Sequence, residues 1–152
     1  MASPSIDSSD PGSLLLDDQL CFALYAASRS VTARYRPLLE ELGLTYPQYL
    51  VMLVLWQHGS VSVRDLGTAL QLESSTLSPL LKRLEANELV RRERRTDDER
   101  SVIIRLTPAG AQLQERARTV PQAIGDAMAL TPEQHATTRQ LLRLLTANVN
   151  RG

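Results

Sequence analysis

The sequence is poor in cysteine, histidine and large aromatics, with one Cys, two His, one Trp and one Phe in 152 residues. A single cysteine cannot form a disulfide within the chain, and with so few histidines no zinc site or other metal centre is expected. Charge of one sign is also lacking: 17 basic side chains balance 17 acidic ones. Nothing global therefore calls for a polyanionic partner. The longest apolar run, "YLVMLVLW", falls far short of the roughly 20 residues a membrane span needs. The opening "MASPSIDSSDPGS" has neither the basic start nor the apolar stretch of a secretory leader. The expected setting is the cytoplasm, where a lone thiol stays reduced until something oxidises it.

What is present is helix-forming. Leucine is abundant and periodic, so the expected class is mainly α with a small β component. Residues 1–12 read as a disordered Ser/Pro/Asp tail and 13–152 as one domain. A long first helix is expected after Ser13 or Asp17, disrupted at Pro37, with "LLEELG" adding a short turn that ends at Gly43. "TYPQYLVMLVLWQHG" predicts a buried helix capped by Thr45 and stopped by Gly59. Two short helices follow, "SVSVRDLGTALQL" and "ESSTLSPLLKRLEANELV". The second buries Leu77, Leu80, Leu81 and Leu84 and turns a polar face outward. "LVRRERR" and "SVIIRLT" predict a hairpin split by "TDDER". Thr107–Pro108 and Thr131–Pro132 each open a further helix.

Helix, turn, helix and basic hairpin in this order predict a winged helix-turn-helix over residues 60–107. The polar face of its second helix carries Ser74, Thr76, Ser78, Lys82 and Arg83, suited to phosphates and base edges. Arg92, Arg94, Arg95 and Arg100 would arm the wing, where guanidinium groups reach phosphates or a minor groove. The bland alternative is a solvated basic face on an ordinary hairpin. The acidic tip, Asp97, Asp98 and Glu99, favours that alternative unless one carboxylate pairs with Arg100 and aims it.

These motifs, "SVRDLGTAL", "STLSPLLKRLE" and "LVRRERRTDDERSVIIRLTPAG" with its Asp98-Glu99-Arg100 stretch, resemble the MarR family of winged-helix regulators over residues 14–150. "LCFALYAASR", "YRPLLEELGLTYPQYLVMLVLW" and "DERSVIIRLTPAG" are similar to its OhrR branch, the organic hydroperoxide-sensing repressors. The resemblance implies a homodimer held by N- and C-terminal helices, here 13–58 and 108–150, on pseudo-palindromic double-stranded operator DNA.

The thiol then acquires meaning. Tyr25 lies one helical turn beyond Cys21 and shares its face. Tyr35 is nearly in phase but roughly 21 Å further along a straight helix, out of reach of its own Cys21. If two such helices cross antiparallel near Ser28, Cys21 of one chain faces Tyr35 of the other. The resemblance implies that Tyr35 and Tyr46 donate to the sulfur from the partner subunit, favouring a thiolate. Asp17 and Asp18 oppose that charge unless turned away. Leucines with Phe22, Met52 and Trp56 would line an apolar setting suited to an organic peroxide. Attack on the peroxide gives a sulfenic acid. With no second cysteine, its expected fate is a mixed disulfide with a small thiol, a sulfenamide or over-oxidation. Two other readings remain. One is a regulator controlled by a non-covalent phenolic effector, with Cys21 as packing. The other is a thiol peroxidase, disfavoured because His58 and His135 are remote in sequence and no other activating group is evident. No enzymatic activity and no cofactor are expected.

Overall fold

The computed structural model describes residues 11–95 and 101–152. Helices α1 (Leu20–Glu40), α2 (Tyr46–His58), α3 (Val63–Leu70), α4 (Ser74–Ala86), α5 (Pro108–Ala117), α6 (Val120–Met128) and α7 (Pro132–Val149) enclose strands β1 (Ser60–Ser62), β2 (Val90–Arg94) and β3 (Val102–Leu106). The strands form one antiparallel sheet in the order β1-β3-β2. Val61 pairs with Ile104 on one side of β3, and Arg92 pairs with the same residue on the other. The expected hairpin is therefore three-stranded. β1 is too short to show any alternation in sequence, but it supplies the partner that β3 needs on its second edge.

Helix α2 is the centre of the core. Tyr49, Val51, Met52 and Leu55 are buried on its inner side, while Leu53 is exposed on the other. Thr45 accepts from the Gln48 amide while the Gln48 side chain accepts from the Thr45 N–H, a reciprocal cap. Gly59 ends the helix at φ +76°, where a side chain would be strained. From α4, Leu77, Leu81 and Leu84 enter the core, while Leu80 is only half-buried. Each fully buried leucine contributes about 2 kcal/mol relative to exposure.

Two expectations along the first helix are corrected. Neither Ser13 nor Asp17 caps α1. Leu16–Asp18 form a separate 3-10 turn, and α1 starts after Gln19 without a side-chain cap. Pro37 does not disrupt the helix, which runs through it to Glu40. Proline removes one backbone donor, but Ala33, whose carbonyl loses it, is exposed to water. Burial of Leu39 just beyond, with Leu38 and Tyr35 packed on the core, holds the last turn in register. The chain then turns through Gly43 at φ +70°. Of the expected tail, residues 1–10 lie outside the described residues, and Pro11 and Gly12 form a turn.

Helices α5, α6 and α7 complete the chain. Thr107 and Thr131 cap α5 and α7 as expected, each with proline in the first turn. The Trp56 indole donates to the Gly110 carbonyl at 2.9 Å and ties α2 to α5. Helix α6 packs along α1. Helix α7 buries none of its residues, and Leu141, Leu142 and Leu144 remain exposed. None of the helices among the described residues is long and apolar enough to cross a membrane.

Candidate thiol site and nucleic-acid interface

Cys21 occupies the first turn of α1 and is exposed. Tyr25, one turn on, is exposed too, with the Arg29 guanidinium 5.4 Å from its ring centre. Because α1 is continuous from Leu20 to Glu40, the separation of Cys21 from Tyr35 is that of an unbroken helix, roughly 21 Å. Met52 is fully buried and Trp56 packs against Tyr49 and Gly110, so neither serves as exposed lining for the thiol within one chain. Phe22, beside Cys21, is exposed.

At the other end of α1, Tyr35 and Tyr46 come together across the α1–α2 contact, with ring centres 4.8 Å apart. Tyr49 joins them at 5.7 Å from Tyr35, and Trp56 continues the series 6.3 Å beyond Tyr49. Tyr49 was not among the expected site residues. Its only sequence signal was a three-residue step from Tyr46, which matches any helix face. One chain thus gathers the two tyrosines and leaves the thiol apart from them.

Burial, and then the neighbouring Tyr46 and Tyr49, push the Tyr35 hydroxyl up to about 12. Tyr49 is raised as well, by burial and Tyr46. Tyr35 therefore remains a neutral O–H donor throughout the physiological range. The unfolded chain releases this proton near pH 10, so between about 10 and 12 it binds fewer protons than the folded chain. Folding stability should hold below pH 10 and fall as pH rises toward 12. Urea midpoints measured across that range check this, and Tyr35→Phe should flatten part of the decline.

The second face is polar. Ser74, Thr76, Ser78, Lys82 and Arg83 are all exposed on α4, opposite its buried leucines. Arg92, Arg94 and Arg95 are exposed on and beside β2, whereas Arg100 and the acidic Asp97, Asp98 and Glu99 lie outside the described residues. Arg92 is not free. Its backbone N–H donates to the Glu85 carboxylate at 2.9 Å, and its guanidinium donates to the same group at 3.3 Å. That backbone bond first, with the guanidinium's hydrogen bond and charge, holds the Glu85 carboxyl below its ordinary value. Arg92 thereby fastens the wing to α4.

A cavity of about 1490 Å³ lies between α3, the start of α4 and the base of the wing, and includes Arg64, Ser74 and Arg95 in its lining. Arg64 went unnoticed in sequence because it stands outside the basic cluster. Asp65 and Glu73 line the same cavity. Among the described residues no cluster of His, Cys, Asp and Glu could hold a metal ion.

These elements define a winged helix-turn-helix protein whose thiol-bearing helix α1 packs on α2 and α6. Residues 33–117 match the family described as transcriptional regulator SarA/Rot. The organic hydroperoxide resistance transcriptional regulator of Bacillus subtilis is 51% identical over 109 residues, covering 72% of this chain and 74% of that protein. Reduced AbfR bound to DNA superposes with TM-score 0.75 at 38% identity, covering 90% of this chain and 93% of that one. Overoxidised AbfR bound to DNA gives 0.74 at 40% identity, covering 88% and 94%. AbfR is a protein of Staphylococcus epidermidis. The chain belongs to the MarR family of winged-helix transcriptional regulators.

Proposed function

We propose that this protein is a homodimeric transcriptional repressor, acting in the cytoplasm, which senses organic hydroperoxides through Cys21 and then releases its operator. The observation that carries the proposal is the division of the site along α1: an exposed thiol at one end, and Tyr35 with Tyr46 gathered at the other. A two-fold axis through the middle of such a helix would set each thiol against the other chain's tyrosines. The similarity to the Bacillus subtilis regulator supports the class of oxidant, and the DNA-bound AbfR structures support the operator.

In the proposed reaction the Cys21 thiolate attacks the distal oxygen of the peroxide. The O–O bond breaks and the alcohol leaves with a proton, while sulfur is oxidised to sulfenic acid. Tyr35 and Tyr46 of the partner subunit, as neutral hydroxyls, donate to the negative sulfur. A small thiol then condenses with the sulfenic acid, forming a mixed disulfide and water. The bulkier sulfur no longer fits against the tyrosines, and the two winged helices move out of register with DNA.

In each half, Ser74, Thr76, Ser78, Lys82 and Arg83 face the major groove, with Arg94 and Arg95 at the wing. Arg100 belongs to the same proposal through its place in the wing sequence. Arg92 serves more as the fastening of the wing than as a free phosphate contact. The test is a mobility shift on the DNA upstream of the protein's own coding sequence, with and without cumene hydroperoxide. Binding that peroxide reverses, and that dithiothreitol restores after mixed-disulfide formation, is the expected result. Binding indifferent to peroxide overturns the proposal.

A further inference from the structure

The aromatic series behind Tyr35 does not end inside α2. Tyr46, Tyr49 and Trp56 stand at steps of three and seven residues along that helix and so share one face of it. Tyr49, in the middle, is only 2% exposed, with the rings of Tyr35, Tyr46 and Trp56 centred 5.7, 6.4 and 6.3 Å away. A ring packed this closely cannot shift without moving its neighbours. Trp56 meets Tyr49 edge-on, and its indole N–H donates to the Gly110 carbonyl at 2.9 Å, across 54 positions of sequence.

Gly110 lies in the first turn of α5, and that turn is bound to the root of the wing. The Thr107 N–H donates to the Leu89 carbonyl at 3.1 Å, and its hydroxyl donates to the Glu88 carbonyl at 2.6 Å. The same hydroxyl accepts from the Gly110 N–H at 3.0 Å. A side chain on Gly110 would collide with the Leu89 carbonyl, so backbone rests on backbone there. Glu88 is held at φ +60°, a left-handed conformation that strains a residue with a side chain. β2 begins two residues later at Val90, which is fully buried. Ring contacts and hydrogen bonds thus run without a break from Tyr35 and Tyr46 to the first residue of the wing strand.

We infer that Trp56 is a positioning residue for the redox response, the strut through which oxidation of Cys21 of the partner subunit reaches the wing. The inference rests on the sensing reaction of the proposed function and names the route by which its effect leaves the tyrosines. In the reduced dimer Tyr35 and Tyr46 lie against a small sulfur, and the strut keeps the α5 turn on Leu89. A bulkier adduct on that sulfur displaces the two rings. Tyr49 passes the displacement along α2 because its tight packing absorbs none of it, and the indole carries it to Gly110. The strained Glu88–Leu89 turn then relaxes, and β2 leaves the position that suits DNA.

The test uses Trp56→Phe in the full-length protein, which keeps a ring against Tyr49 and removes the N–H donor. A second protein carries β-(3-benzothienyl)alanine at position 56, an indole isostere with sulfur in place of N–H, in case the smaller ring packs poorly. Operator dissociation constants are measured before and after cumene hydroperoxide with a small thiol, and intact mass gives the extent of Cys21 modification. Both altered proteins are expected to bind operator as the wild type does when reduced and to form the adduct equally. On oxidation they should lose at least about fivefold less affinity than the wild type. The wild type adds a spectroscopic readout, because Trp56 is its only tryptophan. The emission maximum should shift as the adduct forms and stay fixed in Cys21→Ser. Full release by both altered proteins, equal weakening of their reduced and oxidised states, or adduct formation without an emission shift overturns the strut and leaves the sensing reaction standing. A wild type that forms no adduct, or keeps its operator after forming it, overturns the sensing reaction and the strut with it.

Discussion

A Cys21→Ser variant is expected to bind its operator as the reduced wild type does and to keep that affinity when treated with cumene hydroperoxide. The wild type, under the same treatment, should lose roughly 5- to 150-fold in affinity, the range of ordinary allosteric coupling. The substitution isolates the chemistry. Cys21 is exposed in the chain, so exchanging sulfur for oxygen removes little packing and should change stability by no more than about 0.5 kcal/mol. A serine hydroxyl would still accept hydrogen bonds in the proposed dimer, but it is far too weak a nucleophile to open a peroxide without a base. Fluorescence anisotropy with labelled operator measures both states. Equal release by variant and wild type would mean that the effector acts without touching sulfur, as a non-covalent phenolic ligand would. Intact mass after peroxide and a small thiol supplies the second readout, because the adduct should appear on the wild type and not on the variant.

The largest structural effect is expected from Gly110→Ala. A Cβ on Gly110 would stand 2.1 Å from the Leu89 carbonyl oxygen and 3.2 Å from a Leu106 methyl. The first neighbour is backbone and cannot rotate away. Leu89 is held there by the Thr107 N–H, which donates to its carbonyl, while the Thr107 hydroxyl donates to Glu88 at 2.6 Å. Relief of the clash must therefore move α5 away from the root of β2, and Trp56 loses its alignment with the Gly110 carbonyl. Overpacking of this kind costs about 3 kcal/mol, which corresponds to a Tm lower by roughly 6–12 °C in a domain of this size. Calorimetry reads that directly. Because the displaced strand carries the wing, operator affinity of the surviving folded fraction should fall as well. Gly125→Ala is the control, since a Cβ there meets nothing within 4 Å.

Much of this architecture could be read from single residues. Thr45, Thr107 and Thr131 announced three helix starts because a side-chain oxygen followed by proline satisfies the same orphan amides in any context. Gly59 announced a stop for a similar local reason. Pro37 misled because its cost is local whereas the compensation, the packing of Tyr35, Leu38 and Leu39, is tertiary. β1 was invisible because Ser60–Ser62 acquires its identity from β3, more than 40 residues away. In the site, the spacing of Cys21 and Tyr35 excluded contact within one helix, and the continuity of α1 bears that out. The pairing of Tyr35 with Tyr46 came only from resemblance. Their places on two helices and the stacking of Tyr49 behind them depend on how α1 crosses α2, which no local pattern encodes.

The clasp between Arg92 and Glu85 carries a consequence for thermodynamics in solution. Duplex DNA holds a condensed layer of cations, and each phosphate neutralised by protein returns part of that layer to bulk, adding about 0.9 to the slope of log affinity against log salt. A guanidinium already neutralised by an internal carboxylate releases no such counterion. Arg92 therefore counts little toward the slope although it stands in the densest basic stretch of the sequence, and Arg105, held by Glu93 at 2.8 Å, behaves alike. The apparent charge of the winged helix is smaller than its arginine content, which leaves DNA affinity to depend less on ionic strength than composition alone implies.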